Sequence, residues 1–119
     1  MDSTQLIIIA AIIIFFVLKK LGQVSPAKAR ELVAAGALLV DVRTAGEFAE
    51  GHLASAVNIP LDVLGQKISG HVKDKSQPIL VYCLSGSRSA LAKRILKGQG
   101  FSEVHNLGSV FRARSILGE

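Results

Sequence analysis

An apolar strand that ends in a cysteine and turns at once into a helix limits this chain to few folds. Pro78 precedes residues 79–82 (ILVY), a run of the kind found in strands buried on both faces. Cys83 follows, and residues 84–87 form a short loop before a predicted helix over residues 88–97. Strands joined to helices in this way build α/β domains with largely parallel sheets.

Further strands and helices alternate along the rest of the chain. Ser25 and Pro26 form a helix-start signal, and Thr44 with Glu47 fits a capping box. We predict strands at residues 37–40, 56–59 and 102–106, and helices at residues 26–35, 44–51 and 61–68. The apolar stripe of the helix after Cys83 is assigned to Leu91, Ile95 and Leu96. These elements predict an α/β fold in which helices flank a parallel sheet.

Residues 6–18 (LIIIAAIIIFFVL) contain no polar side chain. As a helix they span roughly 20 Å, less than the hydrocarbon core of about 30 Å. A cleaved signal peptide and a buried core helix are the alternatives, but neither a basic start nor a cleavage pattern accompanies the run. Because Lys19 and Lys20 follow and their stems can snorkel, we predict a transmembrane anchor at residues 1–21 and one domain at residues 22–119.

The distribution of charge predicts where that domain lies. The net charge is +5, and the lysines and arginines all follow the apolar run. The positive-inside rule therefore predicts a single-pass protein of the cell membrane whose domain faces the cytoplasm. Nucleic acid is not expected as a partner, because aromatic residues are few and none interleave with the basic ones.

Cys83 is the single cysteine of the chain. An intrachain disulfide and a cysteine-rich zinc site are thereby excluded, and a free thiol suits a cytoplasmic location. A lone cysteine is most often a small buried hydrophobe. The case for a reactive thiol therefore depends on the residues around it.

The loop after Cys83 has the features that ionise a thiol. A helix start offers free N–H groups, Gly86 lets the amides curl inward, and Arg88 adds a positive charge. The alternative for Arg88 is a surface charge on the first helical turn. Ser89 fits a hydrogen bond within the loop and a helix-start role equally well. The predicted binding loop consists of Leu84, Ser85, Gly86, Ser87, Arg88 and Ser89.

This loop resembles the active-site loop of the rhodanese family, Cys-x-x-Gly-x-Arg-Ser. Cys83, Gly86, Arg88 and Ser89 fill that pattern. Further segments are similar to the family, namely residues 41–43 (DVR), 47–48 (EF), 51–52 (GH), 56–60 (AVNIP), 100–101 (GF) and 104–107 (VHNL). The likeness covers about residues 25–111. It departs near the end, where Arg112 stands in place of an expected aromatic residue.

The resemblance implies a sulfurtransferase with a rhodanese-like fold and Cys83 as the catalytic residue. Cys83 would take a sulfur from a small donor such as thiosulfate and pass it to cyanide, a thiol or an acceptor protein. No cofactor or metal is expected. Cysteine phosphatases have five residues between their cysteine and arginine, whereas four separate Cys83 from Arg88, so the cradle should suit one sulfur atom.

Three residues outside the loop are candidates for the pocket or for its structural support. Asp41 and Arg43 fit best as a structural ion pair, and His52 fits better as a hydrogen-bonded structural histidine than as a general base. Two other functions remain open. One is a non-catalytic rhodanese-like binding module tethered at the membrane, and the other is an oxyanion enzyme such as a phosphatase or arsenate reductase.

Overall fold

A computed structural model describes the backbone of residues 1–119 and the side chains of all of them except residues 19–21. Four parallel strands form one sheet in the order β2-β1-β3-β4. They are β1 (Leu38–Asp41), β2 (Val57–Asn58), β3 (Ile79–Cys83) and β4 (Val104–Ser109). The predicted α/β class with a parallel sheet is confirmed.

In the backbone that the structure describes, six α-helices accompany the sheet. They are α1 (Ser3–Leu21), α2 (Pro26–Ala34), α3 (Ala45–Ala49), α4 (Leu64–Lys67), α5 (Ser87–Gly98) and α6 (Val110–Leu117). Four of them (α2, α4, α5 and α6) cover the two faces of the sheet. The helix predicted over residues 61–68 is present as three short pieces, because α4 is a single turn between two 3₁₀ turns at Leu61–Val63 and Ile68–Gly70. Gly65 inside this segment lowers its helix propensity.

Side-chain caps begin α2 and α3 where the sequence predicts them. The Ser25 hydroxyl accepts a hydrogen bond from the amide of Lys28 at 3.2 Å, and Pro26 is the first residue of α2. The Thr44 hydroxyl accepts from the Glu47 amide at 3.2 Å, and the Glu47 carboxylate accepts from the Thr44 amide at 3.0 Å. Both reciprocal bonds of the capping box are therefore present.

Alternate residues of β3 enter two separate hydrophobic layers, as the two-residue period of a strand requires. Ile79, Val81 and Cys83 belong to the layer that α4 and α5 cover. Leu80 and Tyr82 belong to the layer that α2 and α6 cover. Burial of each large apolar side chain contributes about 1.5–3 kcal/mol. The sheet that carries Cys83 is thus packed from both sides.

The buried stripe of α5 agrees with the predicted one at Leu96 but not at Leu91. Ser89, Ala92 and Leu96 are fully buried, whereas Leu91 is 47% exposed. Residues 89, 92 and 96 share one helix face because they are spaced by three and four positions. Leu91 is turned about 100° from Ala92, which leaves its side chain at the surface.

Helix α1 presents apolar side chains to the outside in every direction. The large hydrophobic residues between Leu6 and Leu18 are all exposed. Within the part of the chain whose side chains are described, the structure contains no helix with both the length and the apolar character needed to cross a membrane. The prediction of a transmembrane span is therefore not supported, and the roles predicted for Lys19 and Lys20 lie outside the described side chains.

Helix α6 is fixed to the domain even though Arg112 replaces the expected aromatic residue. Val110, Ala113 and Ile116 are buried against the sheet. The Arg112 guanidinium donates to the carbonyl of Leu107 at 2.7 Å and to that of Val24 at 2.6 Å. Arg112 therefore fastens the segment before α2 to the end of β4.

Candidate active site

Cys83 lies at the carboxyl end of β3, inside the loop that leads into α5. Its sulfur accepts hydrogen bonds from the amide of Gly86 at 3.0 Å and from that of Ser89 at 3.4 Å. The Ser89 hydroxyl oxygen lies 3.5 Å from the same sulfur. The inward-facing amides predicted from the sequence are thus present, and Ser89 contributes both its amide and its hydroxyl.

Gly86 gives the loop its curl. Its φ of 99° lies in the left-handed region, which a residue with a Cβ rarely adopts. Its carbonyl oxygen accepts from the Ser89 hydroxyl at 3.0 Å and from the Asn106 side-chain amide at 3.4 Å. These bonds fix the backbone at Gly86, whose amide donates to the Cys83 sulfur.

The surroundings of Cys83 act on its pKa in opposite directions. Burial alone raises the pKa of the thiol, because it penalises the charged form. The hydrogen bond with the Ser89 hydroxyl and those from the amides of Ser89, Gly86 and Ser85 outweigh that penalty. The pKa of Cys83 is lowered as a result, which favours the nucleophilic thiolate.

Arg88 forms an ion pair that the sequence analysis did not identify. Its two terminal nitrogens donate to the Glu47 carboxylate at 2.7 and 2.9 Å. The hydrogen bond from Arg88, followed by that from the Thr44 amide, lowers the pKa of Glu47 to about 2. Arg88 therefore joins the Cys83 loop to α3, and a carboxylate balances its charge.

The other loop residues lie at the surface. Leu84 is 48% exposed, and the hydroxyls of Ser85 and Ser87 lie 3.3 Å apart. Ser85 also pairs with Ser109 through an antiparallel bridge. The backbone of the loop is thereby connected to the end of β4.

Asp41 and Arg43 form a buried ion pair. Arg43 donates to Asp41 Oδ2 from Nη2 at 2.7 Å, and its Nη2 also donates to the Gly51 carbonyl at 2.7 Å. The Asn58 side chain donates to the carbonyls of Asp41 and Arg43 at 3.0 and 2.9 Å. These contacts connect the segment after β1 to β2, in agreement with the structural interpretation of the pair.

His52 packs against α3. Its ring stacks on that of Phe48 with centroids 3.6 Å apart, and its Nδ1 lies 2.9 Å from the Phe48 carbonyl oxygen. Cys83 is bound instead by groups of its own loop. The contacts of His52 thus agree with a structural histidine.

Asn106 and Glu47 also support the loop, although neither was among the residues predicted from the sequence to do so. Asn106 is buried in β4, donates to the Gly86 carbonyl, and accepts from the Gly108 amide at 2.8 Å. The role of Asn106 could have been suspected from the sequence, because an amide side chain inside a core strand requires hydrogen-bond partners. The partner of Glu47 is 41 positions away, and local spacing does not reveal it.

A surface cavity of about 290 Å³ adjoins the loop at Arg88. Its other lining residues are Val42, Thr44, Pro60, Leu61 and Asp62. The side chain of Cys83 has no exposed surface. A reactant must therefore displace loop atoms before it touches the sulfur.

Comparisons with known proteins agree with this geometry. Residues 25–111 match the rhodanese-like domain family. The chain is 38% identical over 89 residues to the thiosulfate sulfurtransferase GlpE of Ectopseudomonas mendocina, covering 75% of this chain and 80% of GlpE. It is 37% identical over 112 residues to the uncharacterised protein YqhL of Bacillus subtilis, covering 90% and 87%.

A solved structure described as a rhodanese with anions from E. coli is also similar. It superposes with a TM-score of 0.63 at 34% identity, covering 65% of this chain and 91% of that one. The fold of the sheet and its helices is thus one already known for this type of domain.

Proposed function

Because this chain belongs to the family of rhodanese-like domains, we propose that it is a sulfurtransferase that carries sulfur as a persulfide on Cys83. The observation that carries the proposal is the set of hydrogen bonds on the Cys83 sulfur, in which the Gly86 amide lies 3.0 Å away. These donors favour the thiolate over the thiol, and the thiolate is the nucleophile.

The proposed reaction proceeds in two displacement steps. The Cys83 thiolate attacks the outer sulfur of a donor such as thiosulfate. A new sulfur–sulfur bond forms, the old one breaks, and sulfite leaves with the electron pair. An acceptor such as cyanide or a thiolate then attacks the terminal sulfur of the persulfide and regenerates the Cys83 thiolate. Neither step requires a metal or an organic cofactor.

The loop contributes mainly by stabilising negative charge on sulfur. The terminal sulfur of a persulfide carries the charge that Cys83 held before. The amides of Gly86 and Ser89 donate to the Cys83 sulfur, and the second sulfur would be bonded to that atom at about 2 Å. Since Cys83 is the single cysteine, the acceptor must come from another molecule, either a small thiol or a protein.

A steady-state assay tests this function. The full chain is incubated with thiosulfate and cyanide, and thiocyanate is measured. We expect turnover by the wild type and none by Cys83→Ser, which preserves size but removes the thiol. Absence of thiocyanate together with hydrolysis of an aryl phosphate would favour the oxyanion enzyme, and absence of both reactions would favour the binding module.

We also propose that α1 holds the protein on the cytoplasmic face of the cell membrane. A helix with exposed apolar side chains on all sides is stable where an apolar medium surrounds it. The free cysteine and the basic residues after the apolar run support the cytoplasmic face. Fractionation of cells that express the full chain tests the proposal, and recovery in the soluble fraction would contradict it.

A further inference from the structure

The segment that joins α1 to the domain is held at the carboxyl end of β4. The Val24 amide donates to the Asn106 carbonyl at 2.9 Å. The Gln23 side chain lies against Gly108, so closely that a Cβ there would come within 2.8 Å of its amide nitrogen. The chain therefore passes from α1 into the domain beside the last residues of β4.

The same edge of the sheet carries the Cys83 loop. Cys83 of β3 is in register with Ser109 of β4, and neighbouring strands lie about 4.8 Å apart. The Ser89 hydroxyl also lies 3.5 Å from the Gly108 carbonyl oxygen. The exit point of α1 and the reactive sulfur thus lie on one edge of the domain.

Exposed apolar side chains also occur in the elements that begin at this edge. Among the side chains that the structure describes outside α1 and Met1, the large exposed hydrophobic ones are Leu84, Leu91 and Phe111. Leu84 follows Cys83 in the loop, Leu91 lies one turn into the helix that the loop starts, and Phe111 is the second residue of α6. Scattered exposed apolar residues are ordinary, but here all three belong to elements that begin at one edge.

From these positions we infer that the edge of the sheet bearing the Cys83 loop lies against the membrane surface. Leu84 and Phe111 enter the boundary between headgroups and acyl chains. This inference rests on the proposed association of α1 with a membrane. A lipid surface is the occupant that fits, because α1 leaves the domain at this edge and its apolar side chains face outward on all sides. The net charge of +5 favours an anionic surface.

This orientation determines which molecules reach Cys83. Cys83 then exchanges sulfur with molecules that approach along the membrane surface or that are embedded in it, because the edge that carries its loop lies against the lipid. The opposite edge, which carries the polar loop before β3, faces the solvent.

Tryptophan fluorescence tests this orientation, since the chain has no tryptophan of its own. Phe111→Trp and Leu84→Trp place a probe at the proposed contact. Lys73→Trp is the matched control, because Lys73 is exposed in the loop before β3, at the other edge. Each full-length variant is mixed with vesicles of phosphatidylcholine and phosphatidylglycerol that carry bromine on their acyl chains.

We expect the F111W and L84W tryptophans to be quenched severalfold more than the K73W tryptophan and to shift to shorter wavelength. Equal quenching of the three tryptophans, in protein that sediments with the vesicles, would contradict the proposed orientation but not the membrane association. Absence of sedimentation would overturn both. Thiocyanate formation, measured on the same samples, reports separately on sulfur transfer.

Discussion

The guanidinium of Arg88 holds the carboxylate of Glu47 through two hydrogen bonds of 2.7 and 2.9 Å. Arg88 lies in the first turn of α5, the helix that follows Cys83, and Glu47 belongs to the capping box of α3. The pair therefore fixes the reactive loop to a part of the chain that is 41 positions away. It also means that Arg88 acts on Cys83 as a partly neutralised charge.

Glu47→Gln tests the contribution of this ion pair to stability. A glutamine can still complete the capping box, but it cannot balance the charge of Arg88. We expect the free energy of unfolding at neutral pH to fall by about 1 kcal/mol or less, as for a partly exposed pair. The measurement is urea denaturation, and Glu50→Gln, at the exposed residue directly after the same helix, should show a smaller effect.

The difference in the free energy of unfolding between wild type and Glu47→Gln should decrease in acid. The pKa of Glu47 is lowered from 4.5 to about 2 in the folded protein. The stabilisation is therefore fully present above pH 4.5 and is lost as the pH falls toward 2. Wild type and Glu47→Gln should thus converge in stability under strong acid. A difference that stays constant down to the lowest pH would contradict the assigned pair.

Ser89→Ala removes the hydroxyl that lies beside the Cys83 sulfur at 3.5 Å. That hydroxyl lowers the pKa of Cys83, so its loss should raise the pKa and slow alkylation at neutral pH. The measurement is the rate of reaction with iodoacetamide as a function of pH. Ser87→Ala is the control, because the Ser87 hydroxyl contacts that of Ser85 instead, and its profile should match the wild type.

Gly86→Ala tests the curl of the loop. The φ of Gly86 is 99°, and an L-residue in a left-handed conformation costs about 1–2 kcal/mol. We expect loss of stability of that order together with slower thiocyanate formation, because the amide no longer points at the sulfur. Gly98→Ala, at the end of α5 where a Cβ meets nothing within 4 Å, should be neutral or stabilising.

Asn106→Ala tests the support of the loop from β4. The substitution leaves the Gly108 amide without the oxygen that accepts from it at 2.8 Å, and it frees the Gly86 carbonyl from a donor. An unsatisfied buried amide costs about 1–3 kcal/mol. We expect this loss in chemical denaturation, with slower alkylation of Cys83. Unchanged stability and reactivity would show that Asn106 does not position the loop.

Features that depend on neighbours in sequence could be predicted, and those that depend on distant neighbours could not. The caps at Ser25 and Thr44 and the turn at Gly86 were recognised because each signal lies within a few residues. The pairing of Arg88 with Glu47 joins two segments only in the folded chain. The exposure of Leu91 was missed because the rotation of α5 is set by the sheet against which it packs.

The N-terminal apolar helix could be predicted from the sequence, but its position relative to the domain could not. The apolar run between Leu6 and Leu18 is plain in the sequence and forms a helix, but thirteen residues reach only about 20 Å. The place on the domain from which this helix departs was not predictable, since it depends on the contacts of Gln23 and Val24 with β4.

The mass of the intact protein after exposure to thiosulfate, without any acceptor, tests most directly whether Cys83 carries sulfur. We predict a gain of one sulfur atom on the wild type, its removal by cyanide, and no gain on Cys83→Ser. A wild-type mass that stays unchanged with excess donor would contradict the assignment of Cys83 as a sulfur carrier.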